Sequence, residues 1–391
     1  MSNKDITLSL YAKSTSEIHP RHRGESGYSF SMTSALPNPH EWYLGFQSWL
    51  VRQPDYRPLL GLLPFRAKEM RDQKALQRGH LLAMIQTLMD ERVNQMFTEA
   101  INAYQTDALG ISPVSGANDE EVSEYFEKMK QDGFVVLPQV DRDTIDQMRM
   151  WILQQPVRLE SNLGDRLSLM PVDEARHKMN VGKLEAPASI NCPHLLPLAT
   201  DPLRLGIAAR WCDTRPTILL TLIWWSFAGR PGAKDAQLFH LDLDDHRFCK
   251  FFIYLTDVTE EDGPHVFVPG SHTPTALLEA AQASDDPQVY QEWLLKKLRK
   301  TDEEVKQYFA TDPVSLTGPA GTNFIAVTRG VHKGLMPVRN DRLVCQVVYG
   351  ATPFLQIPNE PQSIATDATS NVPDYLAEPP IDFTTRYMLR K

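Results

Sequence analysis

The segment Phe239-His240-Leu241-Asp242-Leu243-Asp244-Asp245-His246 gathers imidazoles and carboxylates at a spacing that suits a metal ion. In a strand, residues two apart project to the same face. His240 and Asp242 therefore present a ring nitrogen and a carboxylate oxygen to one ion while Leu241 and Leu243 pack behind them. The chain has 11 His, so roughly one His-x-acid triplet arises by chance and the context must discriminate. A later segment, Phe324-Ile-Ala-Val-Thr-Arg-Gly-Val-His332-Lys-Gly334, offers a third ligand, His332, from a different strand. Asp244 and His246 share the parity of His240, and either is an alternative ligand.

Two imidazoles and one carboxylate on one face of an octahedral ion leave three adjacent positions open, the facial triad of non-haem Fe(II) oxygenases. A 2-oxo acid binding through two atoms, followed by O₂, fills them. The far carboxylate of such a co-substrate needs a fixed cation, and the planar fork of Arg grips it through two hydrogen bonds. Arg342, ten residues after His332, is the candidate; Arg339 competes but precedes the turn pair Asn340-Asp341. Lys250 shares strand parity with Asp242 and can add a second hydrogen bond to the co-substrate if that strand runs unbroken. His265 and His272 lie beside turn residues and read as braces of the 263–270 loop. Arg329 and Lys333 flank His332, where they meet an anionic substrate or sit as solvated rim charges.

These residues must be positioned by the surrounding elements. β-rich runs at 218–225, 238–243, 248–255, 266–268, 322–327 and 343–349 are separated by turn signals such as Glu261-Asp-Gly-Pro264 and Gly318-Pro-Ala-Gly321. Many short strands with turns between them predict an antiparallel barrel or jelly roll. A charged helical pattern at about 286–310 reads as an insertion, either a lid or a cover for a sheet face. Residues 118–137 read as helix, Gly stop, short strand.

The expected organisation has three parts. Residues 1–115 form an irregular arm to about residue 40 and then a helical extension, carried by Trp42, Phe46, Trp49 and Leu50 and by Leu81, Leu82, Ile85, Leu88, Met89, Val93 and Phe97 at helical spacing. Residues 116–352 form the β domain with its helical insertion, and 353–391 an irregular Pro-rich tail.

Composition narrows the class. Of 391 residues 42% are hydrophobic, enough for a sizeable core, and 40 Lys plus Arg against 49 Asp plus Glu give a net charge of -9. That balance argues against a general nucleic-acid binder. Four scattered cysteines without C-x-x-C spacing indicate neither a zinc knuckle nor a disulfide framework. With no basic-then-apolar leader and no apolar run near 20 residues, a cytoplasmic protein without a membrane segment is expected.

From the Asp132-Gly-Phe-Val-Val-Leu-Pro138 entry through His240-x-Asp242, Leu255-Thr-Asp-Val-Thr-Glu-Glu-Asp-Gly-Pro264, Val268-Pro-Gly-Ser-His272 and His332 to Arg342, the chain resembles the phytanoyl-CoA dioxygenase-like family of Fe(II)/2-oxoglutarate oxygenases. The resemblance covers about 121–350. It implies a mainly β fold with helices, built on a double-stranded β-helix (jelly roll, cupin-like). It also implies Fe(II) held by His240, Asp242 and His332, and 2-oxoglutarate anchored by Arg342, with O₂ as second co-substrate. The implied reaction hydroxylates an unactivated C–H bond and releases succinate and CO₂. The implied substrate is a small molecule, and an acyl-CoA or a natural-product intermediate, free or carrier-linked, fits. One departure stands out: many members carry a hydroxyl residue two positions after the distal His, where this chain has Gly334. The competing expectation is a non-catalytic or zinc-binding barrel.

Overall fold

Helix Glu120–Asp132 ends at Gly133, whose φ of 87° lets the chain reverse into strand β1, Phe134–Leu137. A Cβ there would fall 2.6 Å from the Phe267 ring and 2.7 Å from His272, so Gly is required for space as well as for conformation. This computed structural model describes residues 39–61, 90–159, 169–230, 232, 233 and 235–352, with short pieces at 362–363, 384 and 389–390. The described residues belong to one compact unit, Pro37–Lys391.

The other strands are β2 (Val157–Leu159), β3 (Leu169–Met170), β4 (Val181–Leu184), β5 (Thr217–Ser226), β6 (Phe248–Tyr254), β7 (His265–Phe267), β8 (Val314–Leu316), β9 (Asn323–Ala326), β10 (His332–Gly334) and β11 (Arg342–Gly350). Eight form one sheet in the order β1-β9-β6-β11-β5-β4-β2-β3, and β10-β7-β8 form a second. Every pairing among them is antiparallel. The fold is thus mainly β with helices, in a jelly-roll arrangement with a helical N-terminal region.

Strand parity divides the large sheet into two faces. Ile223, Trp225, Phe251, Ile253, Leu343, Cys345 and Val347 pack into the main core with helices Arg142–Leu153 and Pro202–Cys212. The alternate residues Leu220, Leu222, Trp224, Lys250, Phe252, Val344 and Gln346 line a cavity on the opposite face. Because both faces are covered, β6 and β11 are buried along their whole length, which explains their continuous apolar runs. The adjacent Trp224 and Trp225 therefore do different work, one at the cavity wall and one in the core.

The run expected as a strand at 238–243 makes only isolated bridges, Phe239 to Lys300 and His240 to His332. Thr328 takes up the Asp242 amide, and the chain then bends through Asp244–Asp245 instead of extending the ladder. Leu241 and Leu243 nonetheless pack, as parity predicts, against the separate apolar cluster that contains Phe239, Val331, Tyr290 and Trp293. Three helices, Pro274–Ala283, Pro287–Lys296 and Asp302–Tyr308, occupy and precede the 286–310 stretch. Their apolar sides join Val266 and Val268 of the β7 region. They thereby cover the face of the small sheet, and among the described residues none of them lines the cavity.

Helices Pro39–Val51 and Glu91–Ala103 enclose a separate cluster of Trp42, Phe46, Trp49, Phe97, Ile101 and Tyr104. Asp90 caps the second helix by accepting from the Arg92 and Val93 amides. The arm before residue 39, the apolar positions Leu81 to Met89 and most of the Pro-rich tail lie outside the described residues. No described helix is long and apolar enough to cross a membrane.

Candidate metal centre

His240 and His332 are clasped together by a pair of backbone hydrogen bonds, N to O at 2.9 and 3.0 Å. Their rings lie 4.2 Å apart between centroids. Each imidazole spends Nδ1 on the carbonyl two residues earlier in its own segment, Leu238 for His240 and Gly330 for His332, both at 2.9 Å. With the proton fixed on Nδ1, each Nε2 keeps its lone pair for a metal. Those Nε2 atoms face Asp242, 3.6 Å from Oδ1 for His240 and 3.3 Å from Oδ2 for His332. One ligand atom from each of the three residues lies within 4.8 Å of the others. Burial, followed by the neighbouring His332, pushes His240 down to about 3, so its ring is neutral and fit to ligate.

Burial alone would raise the Asp242 carboxyl, but the adjacent Lys250 ammonium, with the His332 ring beside it, overcomes this and holds the group well below the usual carboxylate range. Lys250 Nζ sits 2.6 Å from Oδ2 of Asp242 and 2.6 Å from Oδ2 of Asp244. Burial works to lower the ammonium, and the two carboxylates reverse that and raise it. Lys250 thus reaches the site from β6, across the bend at 244–247, and not along the continuous strand that its parity argument required. Burial dominates at Asp244 and raises its carboxyl.

These groups open onto a cavity of about 560 Å³. Phe252, Phe324, Trp224 and Val344 give it apolar walls, and the buried Arg342 also lines it. The Arg342 guanidinium donates to the Gly263 carbonyl and, at 3.1 Å, to Ser226 Oγ, its partner in the β11–β5 register. Arg339 instead lies on the surface, 3.5 Å from Glu261.

The other sequence candidates sort by geometry. His246 is wholly buried and edge-on to Phe97 at 4.9 Å, with Nε2 3.4 Å from Thr98 Oγ1, so it anchors the N-terminal helical region. His272 contacts the Lys130 carbonyl at 3.2 Å and ties helix Glu120–Asp132 to the loop. Arg329, expected at the rim, is buried and donates to the carbonyls of Asp245 and His246. Lys333, likewise buried, pairs with Asp302 at 2.5 Å and lies over the Phe239 ring. Both serve the scaffold because the chain folds back over them, which sequence position alone does not reveal.

A family profile described as phytanoyl-CoA dioxygenase matches residues 129–335, just over half of the chain. The chain belongs to the phytanoyl-CoA dioxygenase family. That family uses Fe(II) with 2-oxoglutarate and O₂, and a donor set of two imidazoles and one carboxylate suits ferrous iron. Solved structures similar to this family member include EctD from S. alaskensis with bound Fe, at 16% identity, TM-score 0.41, covering 60% of this chain and 78% of that one. HygX from Streptomyces hygroscopicus with nickel, 2-oxoglutarate and hygromycin B matches at 15% identity and TM-score 0.39, covering 63% and 92%. The carbocyclase SnoK from nogalamycin biosynthesis matches at 19% identity and TM-score 0.39, covering 61% and 86%. No curated protein matches the chain.

Among the polar groups in the cavity wall that the sequence did not single out as ligand-facing are Ser226 and His265. Their placement depends on which strands pair, which no local pattern encodes.

Proposed function

We propose that this chain is an Fe(II)/2-oxoglutarate-dependent oxygenase that hydroxylates an unactivated C–H bond of a small-molecule substrate. His240, Asp242 and His332 would hold the iron, and Arg342 would take the far carboxylate of 2-oxoglutarate. The observation that carries the reading is that both Nδ1 atoms are spent on backbone carbonyls, leaving both Nε2 lone pairs turned to one carboxylate in the cavity that Arg342 also lines. When bound, the metal supplies the activation of O₂, with 2-oxoglutarate as the electron donor that leaves as succinate and CO₂.

The chain's own residues bind, orient and shield. The backbone clasp between His240 and His332 fixes the separation of the two rings. Phe252, Phe324 and Trp224 exclude water from the cavity wall, which strengthens each charge interaction inside it. Met179, Asn180 and Gln237 also line the cavity, with Asn180 Nδ2 donating to Gln237 Oε1 at 3.3 Å, so a substrate meets amides as well as aromatic surface. A carboxylate at position 242 occupies the place a halide ligand would need, which favours hydroxylation over halogenation. The cavity volume suits the co-substrate with a compact substrate portion, which accommodates the acyl end of a thioester or a natural-product intermediate.

The test is to add 2-oxoglutarate to the anaerobic Fe(II) protein and follow the visible charge-transfer absorption, then to assay succinate release against candidate substrates. A band that needs His332 supports the assignment. Stoichiometric zinc with no such band would favour a binding or structural barrel instead.

A further inference from the structure

His332 and Gly334 share one face of β10 by parity, and Gly334 pairs directly with His265 of β7, so the His265 side chain stands on that same face. Its ring centre lies 5.3 Å from that of His332, with the planes 21° apart. On the other side, a Cβ at Gly334 would stand 3.0 Å from Arg342 Nη2. His265 therefore occupies the wall between the candidate metal ligand and the candidate carboxylate anchor.

The imidazole is held there and only partly used. Phe252 and Phe324 contact it at 5.0 and 5.3 Å between ring centres. Its backbone amide is taken by Tyr254 Oη at 2.8 Å, and that hydroxyl in turn donates to the Leu316 carbonyl. The His265 residue is 6% exposed, it lines the cavity, and its Nε2 is buried without a hydrogen-bond partner. A buried polar atom without a partner carries a desolvation cost that a ligand offering an acceptor removes. Arg342 Nε is in the same condition.

We infer that His265 donates a hydrogen bond from Nε2 to the distal carboxylate of the 2-oxo acid beside Arg342, taking the role of the hydroxyl that Gly334 lacks. The inference rests on the oxygenase reading above and deepens it: His265, Arg342 and the Ser226 hydroxyl that orients Arg342 make a three-point recognition site for a dicarboxylic 2-oxo acid. An imidazole ring always carries at least one N–H, so it can act as a donor to a carboxylate oxygen. The place a side chain would take at Gly334 is filled by the Arg342 guanidinium, so the second donor must come from a neighbouring strand, and His265 is the residue paired with Gly334.

The experiment compares 2-oxoglutarate with 2-oxobutyrate, which has the same 2-oxo acid head and no distal carboxylate, by titrating each into anaerobic Fe(II) protein and reading the charge-transfer band. His265→Leu is expected to weaken 2-oxoglutarate about tenfold or more while leaving 2-oxobutyrate and the bound iron within about twofold of wild type. His265→Gln, which restores an N–H donor, is expected to recover most of the loss and covers the case in which the Leu variant folds poorly. An unchanged 2-oxoglutarate affinity in the Leu variant, or an equal loss for both acids, overturns the role of His265. A wild-type protein that gives no band with either acid overturns the oxygenase reading, and this inference falls with it.

Discussion

Lys250 Nζ lies 2.6 Å from Asp242 Oδ2, so the carboxylate of the candidate metal centre has a buried counter-cation of its own. Asp244 shares that ammonium at the same distance. Replacing Lys250 by Met removes the cation and leaves two buried acids with like charge, at an expected cost of about 3–5 kcal/mol in the metal-free protein. A divalent ion bound at Asp242 restores part of the compensation. Thermal unfolding should therefore show a larger stabilisation by Mn²⁺ or Zn²⁺ in Lys250→Met than in wild type. Equal stability of the two metal-free proteins would show that the lysine contributes nothing to the charge balance.

Asp242→Ala should abolish stoichiometric iron binding and turnover while leaving the fold intact, because Asp244 still neutralises Lys250. Metal content after dialysis and succinate formation check this. Retained turnover would refute the ligand role of Asp242, and Asp244, which also lines the cavity and shares Lys250, would become the ligand to test.

How far the sequence reaches follows from which interactions are local. The apolar runs of β5, β6 and β11 were readable because these strands are buried on both faces, and the His240-x-Asp242 parity survived even though a bend replaces the strand after it. Lys250 was identified for a reason that fails, since its approach to Asp242 comes from tertiary folding across that bend. His265 and Ser226 could not be seen at all as ligand-facing groups. The Ser226–Arg342 contact spans 116 residues, and the His265–Gly334 register exists only once β7 meets β10. Arg329 and Lys333 look like rim charges beside His332 until the chain covers them.

Gly263 supplies the carbonyl that holds the Arg342 guanidinium, and its φ is 74°. An added Cβ would meet the Leu335 carbonyl and Pro337 backbone, neither of which can swing away as a flexible side chain does. Gly263→Ala is therefore expected to cost about 1–3 kcal/mol of stability and to raise the KM for 2-oxoglutarate through displacement of Arg342. Denaturant unfolding and steady-state kinetics separate the two effects. A stability loss with unchanged KM would mean that Arg342 keeps its position without this carbonyl.

Asp262, one residue earlier, accepts from the Thr259 amide and hydroxyl and from both the backbone and side-chain nitrogens of Asn340, joining the loop before β7 to the loop before β11. Burial opposes its ionisation, but the Thr259 and Asn340 hydrogen bonds win and hold the carboxyl below its usual range. A carboxyl whose folded value is depressed contributes stability above its unfolded pKa, near 4, and loses that contribution as pH falls through the lower folded value. Asp262→Asn keeps the shape and removes the charge, turning one acceptor oxygen into a donor that faces other donors. At pH 7 the variant should be about 1–3 kcal/mol less stable than wild type, and the gap should narrow progressively below about pH 4. Unfolding curves of both proteins between pH 7 and pH 3 measure it, and a gap that stays constant across that range would show that the Asp262 charge plays no part in joining the two loops.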